Sequence, residues 1–202
     1  MTSIDLKKTY RDHYTAKRRA SVVDVPTRPF LMIDGRGDPN TSQEYQDAVT
    51  ALYPLAYGLR AAVKAATGDA YTVMPLEGLW WVPDMADWDP TDKSNWWWTA
   101  MICLPDAVTD TMASEVIPAV TANKGLASGS KARVEDFTEG VAAQILHVGP
   151  YADEAPTIEE LHRFIEGSGH RLVGKHHEIY LSDPRRADPA KMRTIIRQPF
   201  AD

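Results

Sequence analysis

The chain repeats one order of secondary-structure patterns, and this repeat constrains its fold more than any other feature. The first copy reads strand, helix, strand, strand in residues 30–35, 42–66, 71–82 and 96–105. The second copy gives the same order in residues 142–149, 158–166, 171–182 and 192–200. A duplicated half-domain usually places its ligand cleft between the halves. The sequence therefore predicts two similar halves with a binding cleft where they meet.

Local signals support the two repeat helices and divide the chain. Thr41 with Glu44 and Thr157 with Glu160 have capping-box spacing. The glycines that follow the two helices are Gly68 and Gly167.

These signals predict one domain with two lobes rather than two independent domains. We expect an N-terminal arm in residues 1–28, a first half in 29–122 and a second half in 132–202. Residues 123–131 (NKGLASGSK) have the composition of a flexible linker between the halves. A third helix is predicted near residues 109–122, where Pro118 would kink or shorten it.

Composition excludes several classes of protein. With 202 residues and 44% hydrophobic content, the chain is long enough to bury a sizeable core. Its apolar runs are far shorter than the roughly 18 residues of a membrane helix, and no signal peptide is recognisable, so we expect a cytoplasmic protein without a membrane partner. The net charge is −6, and the basic first 20 residues leave a more acidic remainder. An acidic body repels phosphates, which argues against nucleic acid as a partner.

The residues that could bind metal do not form a convincing set. The loop in residues 83–94 contains Asp84, Asp87, Asp89 and Asp92 but lacks the glycine and terminal glutamate of a calcium-binding loop. His176 and His177 are neighbours on a predicted strand, so their side chains point to opposite faces and cannot chelate one ion. We expect no metal and no organic cofactor. Cys103, in an apolar strand, is interpreted as a small core residue.

Two glutamates stand out inside otherwise apolar or aromatic strands. Glu77 and Glu178 occupy similar places in the two copies of the repeat. Alternation along the second strand places Glu178 with His176 and Tyr180, on the face opposite Ile179. Because the apolar set should pack on the helices, the sequence predicts that Glu178 faces away from them. By the repeat, Glu77 should point the same way, together with Trp81.

Aromatic residues are concentrated next to these strands. All six tryptophans fall within nineteen residues, namely Trp80, Trp81, Trp88, Trp96, Trp97 and Trp98. Aromatic rings around a carboxylate suit flat or cationic small molecules, through stacking and cation–π attraction of about 0.5–2 kcal/mol per contact. Each tryptophan could equally be an ordinary core residue.

Several longer motifs of the sequence resemble a known family. MPLEGLWW (residues 74–81), HVGPY (147–151) and GKHHEIYLSDPRR (174–186), together with DPNTSQEY, WWWTAMICLPD and IIRQP, are similar to the GyrI-like small-molecule-binding proteins. More narrowly, they resemble the stand-alone subfamily of cyclopropanoid cyclopropyl hydrolases. The resemblance implies an α+β fold of duplicated βαββ (SHS2-like) modules, an antiparallel sheet with helices on one face and a ligand cleft on the other.

The resemblance also implies an activity and a set of site residues. Its hydrolases add water across the strained cyclopropane of DNA-alkylating compounds such as yatakemycin and so detoxify them. Glu178 matches the family's pocket glutamate and would be the general base, with Tyr151 or Tyr180 stabilising the ligand oxygen. The expected substrate-binding residues are Trp80, Trp81, Trp96, Trp98, His176 and Tyr180.

Three functions are considered, of which the sequence disfavours the third and leaves the first two open. The first is the hydrolase, and the second is a protein that sequesters xenobiotics without turning them over, since a glutamate in an aromatic pocket serves both. The third, a protein–protein inhibitor, needs no inward glutamate with an aromatic cage. We expect a flat aromatic or cationic small molecule as the ligand, and a monomer or weak homo-oligomer.

Overall fold

Most of the predicted strands join one large antiparallel sheet. The structure is a computed structural model that describes residues 3–84, 88 and 92–202. The strands are β1 Ser3–Ile4, β2 Ser21–Val25, β3 Arg28–Arg36, β4 Ala70–Tyr71, β5 Leu76–Trp81, β6 Trp97–Cys103, β7 Arg133–Phe137, β8 Gly140–Val148, β9 Arg171–Leu172, β10 His176–Tyr180 and β11 Arg193–Ala201. The α-helices are α1 Leu6–Thr9, α2 Gln43–Thr67, α3 Asp110–Lys124 and α4 Ala155–Gly167.

The strand order confirms the duplicated α+β fold. Among the described residues the main sheet runs β2-β8-β11-β10-β5-β6-β3-β7, with β9 paired to β11. Its inner six strands form two sets of three that mirror each other about the β10–β5 pair. Each set belongs to a strand, helix, strand, strand unit: β3, α2, β5 and β6 in the first half, and β8, α4, β10 and β11 in the second. The boundaries expected for the arm and the two halves stay a prediction.

The helix ends differ from the capping boxes predicted for them. Helix α2 begins after Ser42, whose hydroxyl accepts a hydrogen bond from the Tyr45 amide, and it ends at Gly68 in the left-handed conformation, as expected. Helix α4 starts at Ala155, two residues before the predicted cap. Thr157 therefore lies inside the first turn, where its hydroxyl contacts His147 Nδ1 at 3.0 Å. Helix α3 continues through Pro118 to Lys124.

Strands β5 and β10 meet in a register that corrects one prediction. Glu178 lies opposite Gly78, and His177 lies opposite Leu79. The two halves are related by an approximate two-fold axis that passes between β5 and β10. This axis places Gly78 on the position of Glu178 and Glu77 on the position of His177. Glu77 and Glu178 are thus not equivalent, because the repeat is offset by one residue from the alignment read off the sequence. That offset sends the two carboxylates to opposite faces of the sheet.

The helices cover the face that carries Glu178, which corrects a second prediction. Leu161 and Ile165 of α4 pack on Ala143, Ile145 and Ile196, and Ile196 lies opposite Glu178 in the sheet. From α2, the Tyr45 ring contacts the Trp80 ring on the same face, with 5.4 Å between centroids. The apolar alternation of Ile179 is real, but Ile179 packs against Ala16 of the N-terminal segment and not against a helix.

The face without the long helices carries a buried group of charges, here called the Glu77 network. It consists of Glu77, His177, Glu139, Arg197 and Tyr14. His177 bonds to Glu77 at 3.0 Å and to Glu139 at 2.8 Å, and Arg197 bonds to Glu139 at 2.7 Å. The Tyr14 hydroxyl donates to Glu77 at 2.6 Å. Two carboxylates therefore meet two basic groups and a phenol with almost no exposure to solvent.

The charges of the Glu77 network set its pKa values. Burial alone would raise the pKa of Glu139, but the charges of His177 and Arg197 outweigh burial and lower that pKa to about 2. Burial would lower the pKa of His177, yet Glu139 and Glu77 raise it to about 9. Both groups are therefore charged near neutral pH. The network joins β5, β10 and β11 to the N-terminal segment, which explains why this segment covers the sheet.

No helix within the described part of the chain is long and apolar enough to cross a membrane.

We expect Glu77→Gln to destabilise the fold. The amide keeps the size of the side chain but removes the charge that faces buried His177, at a cost of roughly 2–3 kcal/mol. Urea unfolding at pH 7 measures this loss. The control is Glu135→Gln, because the Glu135 side chain is 56% exposed and its pair with Arg133 is a surface contact. An equal loss in the two variants would contradict a structural role for the Glu77 network.

Stability should also fall on the alkaline side. The pKa of His177 is raised in the fold, so its contribution is complete below the unfolded pKa of about 6.5 and is lost as the pH passes about 9. The expected loss is on the order of 3 kcal/mol. Urea unfolding at pH 6 and pH 9.5 tests this expectation in the wild type and in His177→Gln. The variant should be less stable at pH 6 and should lose much less stability between the two pH values; a parallel decline in both proteins would contradict the assignment to His177.

Candidate functional site

The candidate site lies between the sheet and the first turns of α2 and α4. It is built around Glu178 and is called the Glu178 site. Its other members are His176, Tyr180, Trp80, Trp98, Tyr45, Tyr151 and Glu154. Strand alternation brings the first four side chains to one face of the sheet. Tyr45 lies in the first turn of α2, and Tyr151 and Glu154 lie just before α4. The site thus has seven members besides Glu178, of which Tyr45 and Glu154 were not predicted from the sequence.

Glu178 is held as an anion by two hydrogen bonds. His176 Nε2 donates to Oε1 at 3.2 Å, and the Tyr180 hydroxyl donates to Oε2 at 2.7 Å. Only 12% of the Glu178 side chain is exposed. Burial would raise the pKa of Glu178, but the hydrogen bond and charge of His176, together with the Tyr180 hydrogen bond, hold it below the usual value. The carboxylate can therefore accept a proton or attract a cation.

Two tryptophans pack against the sheet because glycines leave room for them: Trp80 lies over Gly78 beside Glu178, and Trp98 lies farther from Glu178, over Gly35 of β3. A Cβ at Gly78 would lie 2.8 Å from Trp80 Nε1, and a Cβ at Gly35 would lie 2.2 Å from Trp98 Cζ2. Tyr45 links the two indoles, with its ring 5.4 Å from Trp80 and 5.1 Å from Trp98. The glycine opposite Glu178 thus lets an aromatic wall approach the carboxylate.

Further aromatic rings extend this wall toward the loop after β5. Trp96 is buried and lies 5.8 Å from Trp80, and it stacks on Trp88 at 4.2 Å. Trp88 is also 5.9 Å from His176. Lys93, whose ammonium lies 4.9 Å from the Trp96 ring, contributes positive charge near Glu178. Trp96 and His176 therefore belong to one connected group of rings with Trp80 and Trp88.

Tyr151 forms the opposite rim of the site. Its ring makes an edge contact with Tyr180 at 5.4 Å, and 37% of the residue is exposed. The turn that carries it is fixed by His147, whose two ring nitrogens bond to the Thr157 hydroxyl and the Pro150 carbonyl. Burial and the charges of Glu154 and Glu178 raise the pKa of Tyr151 to about 12. Tyr151 can therefore donate a hydrogen bond, but it is a weak acid.

Trp81 does not reach the Glu178 site, contrary to the sequence prediction. It shares the other face of β5 with Glu77, and the Lys175 ammonium lies 3.4 Å from its ring centroid. Its ring also faces Trp97 at 6.4 Å. The reason is the same one-residue offset that separates Glu77 from Glu178.

Glu154 belongs to the site but was missed by reasoning from the sequence. It is the N-terminal cap residue of α4, yet its side chain caps no backbone amide, and the residue is only 5% exposed. Burial, followed by the negative charge of Glu178, raises the pKa of Glu154 to about 9. The helix N-terminus favours an anion by only about 0.3–1 kcal/mol, less than the cost of burying a second carboxylate.

Several buried polar atoms of the site make no hydrogen bond. They are the indole nitrogens Trp80 Nε1 and Trp98 Nε1, while Glu154 Oε1 and Thr194 Oγ1 have no partner outside their own pair. Leaving a buried polar group unpaired costs about 1–3 kcal/mol, and such groups are uncommon in native folds. Donors and acceptors that converge unpaired beside one carboxylate are typical of a site that receives a ligand.

A groove elsewhere on the described part of the chain contains none of these residues. A shallow groove of about 650 Å³ lies beside α3 and β7 and is lined mainly by small or apolar side chains such as Ala113, Ile117 and Val134. No group of three or more His, Cys, Asp or Glu side chains suited to a metal ion occurs among residues 3–84, 88 and 92–202. In the acidic loop, Asp87 and Asp89 lie outside the described residues.

The chain is similar to three solved proteins from Listeria innocua over almost its whole length. An uncharacterized conserved protein is 39% identical, with 98% of this chain and 100% of that one covered and a TM-score of 0.90. A hydrolase encoded by lin2189 is 37% identical, with 99% and 100% covered and a TM-score of 0.87. A further hydrolase is 36% identical, with 98% and 100% covered and a TM-score of 0.84. A comparison with curated protein sequences finds no match.

A family model supports the same relationship. The model for the GyrI-like small molecule binding domain matches residues 20–199, which include every member of the Glu178 site. The protein therefore belongs to the GyrI-like small-molecule-binding domain family.

Proposed function

We propose that this protein is a hydrolase that opens the cyclopropane ring of flat cyclopropanoid compounds by adding water and thereby detoxifies them. The observation that carries the proposal is a single ionised carboxylate, Glu178, at the base of an aromatic-walled site. Similarity to two Listeria innocua proteins described as hydrolases, at 36–37% identity, supports an enzymatic role. The specific reaction is inferred from the chemistry that these side chains can perform.

The reaction requires three tasks, and the residues of the site suit each of them. Glu178 takes a proton from water as the water oxygen attacks the electrophilic ring carbon. Trp80 and Trp98 hold a flat conjugated ligand in line for that attack. The ligand oxygen gains negative charge as the ring opens, and the Tyr151 hydroxyl and the unpaired indole N–H groups are donors for it. Tyr180 keeps Glu178 in place and is the alternative donor.

A second candidate is a protein that binds xenobiotics without turning them over. A buried anion between indole and phenol rings is a site for a flat cation, since cation–π attraction adds to the charge of Glu178. The same geometry therefore supports sequestration of cationic aromatic compounds. Turnover separates the two functions, because only the hydrolase converts its ligand.

We expect Glu178→Gln to lose ring opening while it keeps its affinity for a neutral substrate. Removing a general base typically lowers the rate by about 10²–10⁴-fold. The assay incubates the purified protein with a spirocyclopropyl dienone and follows the hydrated product by mass spectrometry. Glu160→Gln, an exposed change on α4, is the matched control and should retain the wild-type rate.

The outcomes of this assay separate the alternatives. Wild-type turnover by Glu178→Gln would refute the assignment of the base. A wild-type protein that converts no dienone but loses affinity for cationic dyes when Glu178 is replaced would favour sequestration instead.

The site should also select ligands by charge and shape. A cationic planar dye such as rhodamine gains from the aromatic walls and from Glu178, whereas a nucleotide brings phosphates toward two buried carboxyl groups. We expect the dye to bind at least about tenfold more tightly than ATP, and Glu178→Gln to weaken the dye alone. Fluorescence titration measures both affinities. Tighter binding of ATP would be incompatible with this site.

A further inference from the structure

We propose that Glu154 is the proton donor of this site and that it works as one unit with Glu178. The inference rests on the proposed hydrolase function and adds the group that delivers a proton to the ligand. Its basis is geometric: Glu154 is a buried carboxyl side chain within hydrogen-bonding reach of Glu178 and of the Thr194 hydroxyl, and its Oε1 accepts no hydrogen bond from a backbone amide or a basic side chain. It also leaves the α4 backbone uncapped, so capping the helix does not explain its presence.

The surroundings of the pair favour one proton between two carboxyl groups. Around Glu178 stand His176, Tyr180, Tyr45 and Lys93. His162 of α4 faces His176, while Lys93, Tyr151 and Thr194 lie near Glu154. His176 and Tyr180 both donate hydrogen bonds to Glu178, whereas the donor near Glu154 is the neutral Thr194 hydroxyl. Glu178 therefore keeps the negative charge and Glu154 keeps the proton.

The tyrosines are weaker candidates for this task. The Tyr180 hydroxyl already donates to Glu178. Burial, and then the negative charge of Glu178, raise the pKa of Tyr180 well above the usual value. Tyr151 is also a poor acid, as described above. A protonated carboxyl group gives up its proton far more readily than either phenol, so Tyr151 is left to hold the ligand oxygen by a hydrogen bond.

The proposed step balances. The oxygen of water bonds to the cyclopropane carbon, and the ring C–C bond to that carbon breaks. The electron pair of the broken bond moves through the dienone to its oxygen, which takes the proton of Glu154 and becomes a phenol. Glu178 takes one proton from the attacking water. Glu154 then carries the charge and Glu178 the proton, and a proton transfer between the adjacent carboxyl groups restores the starting state.

The test compares Glu154→Gln with the control Asp153→Asn, an exposed neighbour in the same turn. We expect Glu154→Gln to lower kcat by about 10²–10⁴-fold with little change in KM. The wild-type rate should fall as the pH rises through about 9, where Glu154 loses its proton, and Asp153→Asn should behave the same way. The residual rate of Glu154→Gln should lack this alkaline decline.

A readout independent of turnover accompanies the kinetics. Infrared spectroscopy at pH 7 should show the carbonyl band of a protonated carboxyl group in the wild type and in Asp153→Asn, and the band should be absent in Glu154→Gln. Near-ultraviolet circular dichroism checks the fold. Glu154→Asp, which keeps an acidic group on a shorter arm, should retain the band with reduced activity, so the inference stays testable if Glu154→Gln misfolds.

Each outcome has a defined meaning. A wild-type rate for Glu154→Gln, an unchanged alkaline decline, or a band that persists in this variant would overturn the role of Glu154 while leaving the hydrolase function intact. A wild-type protein that opens no dienone would overturn the hydrolase function and the donor role together. In that case the band would still report whether Glu154 carries the proton of the pair.

Discussion

The pairing of β5 with β10 is the contact on which both the fold and the candidate site depend. It joins the two halves at the centre of the sheet and sets Glu178 opposite Gly78. Because side chains alternate between faces, this register sends Glu77 and His177 to one side and Glu178 to the other. A shift of one residue would exchange the two sets, burying Glu178 under the N-terminal segment. The missing side chain at Gly78 then gives Trp80 its place beside the carboxylate.

The two faces of this strand pair treat buried charge in different ways. In the Glu77 network two carboxylates meet His177 and Arg197, and every carboxylate has a close partner, which is what a structural role requires. In the Glu178 site the hydrogen bonds of His176 and Tyr180 converge on one carboxylate, and the second carboxyl group, Glu154, is buried beside it with a raised pKa. An arrangement that gives up stability in this way is characteristic of functional sites. This contrast assigns a structural role to the Glu77 network and a functional role to the Glu178 site, although both lie on the same pair of strands.

The sequence predicted the architecture well because it is set by short-range patterns. Apolar runs and helix-ending glycines such as Gly68 indicate elements directly, and their repeated order indicates the duplicated sheet. It also identified Glu178, His176 and Tyr180 as residues of one strand face. It failed where a fact depends on pairing between distant strands. Trp81 was assigned to the site because the order of the repeated elements does not reveal a one-residue offset between them. Ile179 was assigned to the helices because the segment that covers it, residues 14–16, has no periodic pattern in the sequence. Glu154 was missed since its environment comes from β10 and β11, far away in the chain.

The central claim is that Glu178 activates water as a general base. A single-turnover reaction in water labelled with oxygen-18, with enzyme in excess over a spirocyclopropyl dienone, tests it most directly. If Glu178 only removes a proton, the oxygen gained by the product comes from the solvent, and the product of the first turnover carries the label. If Glu178 instead attacks the ring carbon and its ester is hydrolysed at the carbonyl, the first product carries an unlabelled oxygen from the protein and the label enters the glutamate. The account predicts a fully labelled first product; an unlabelled one would contradict it.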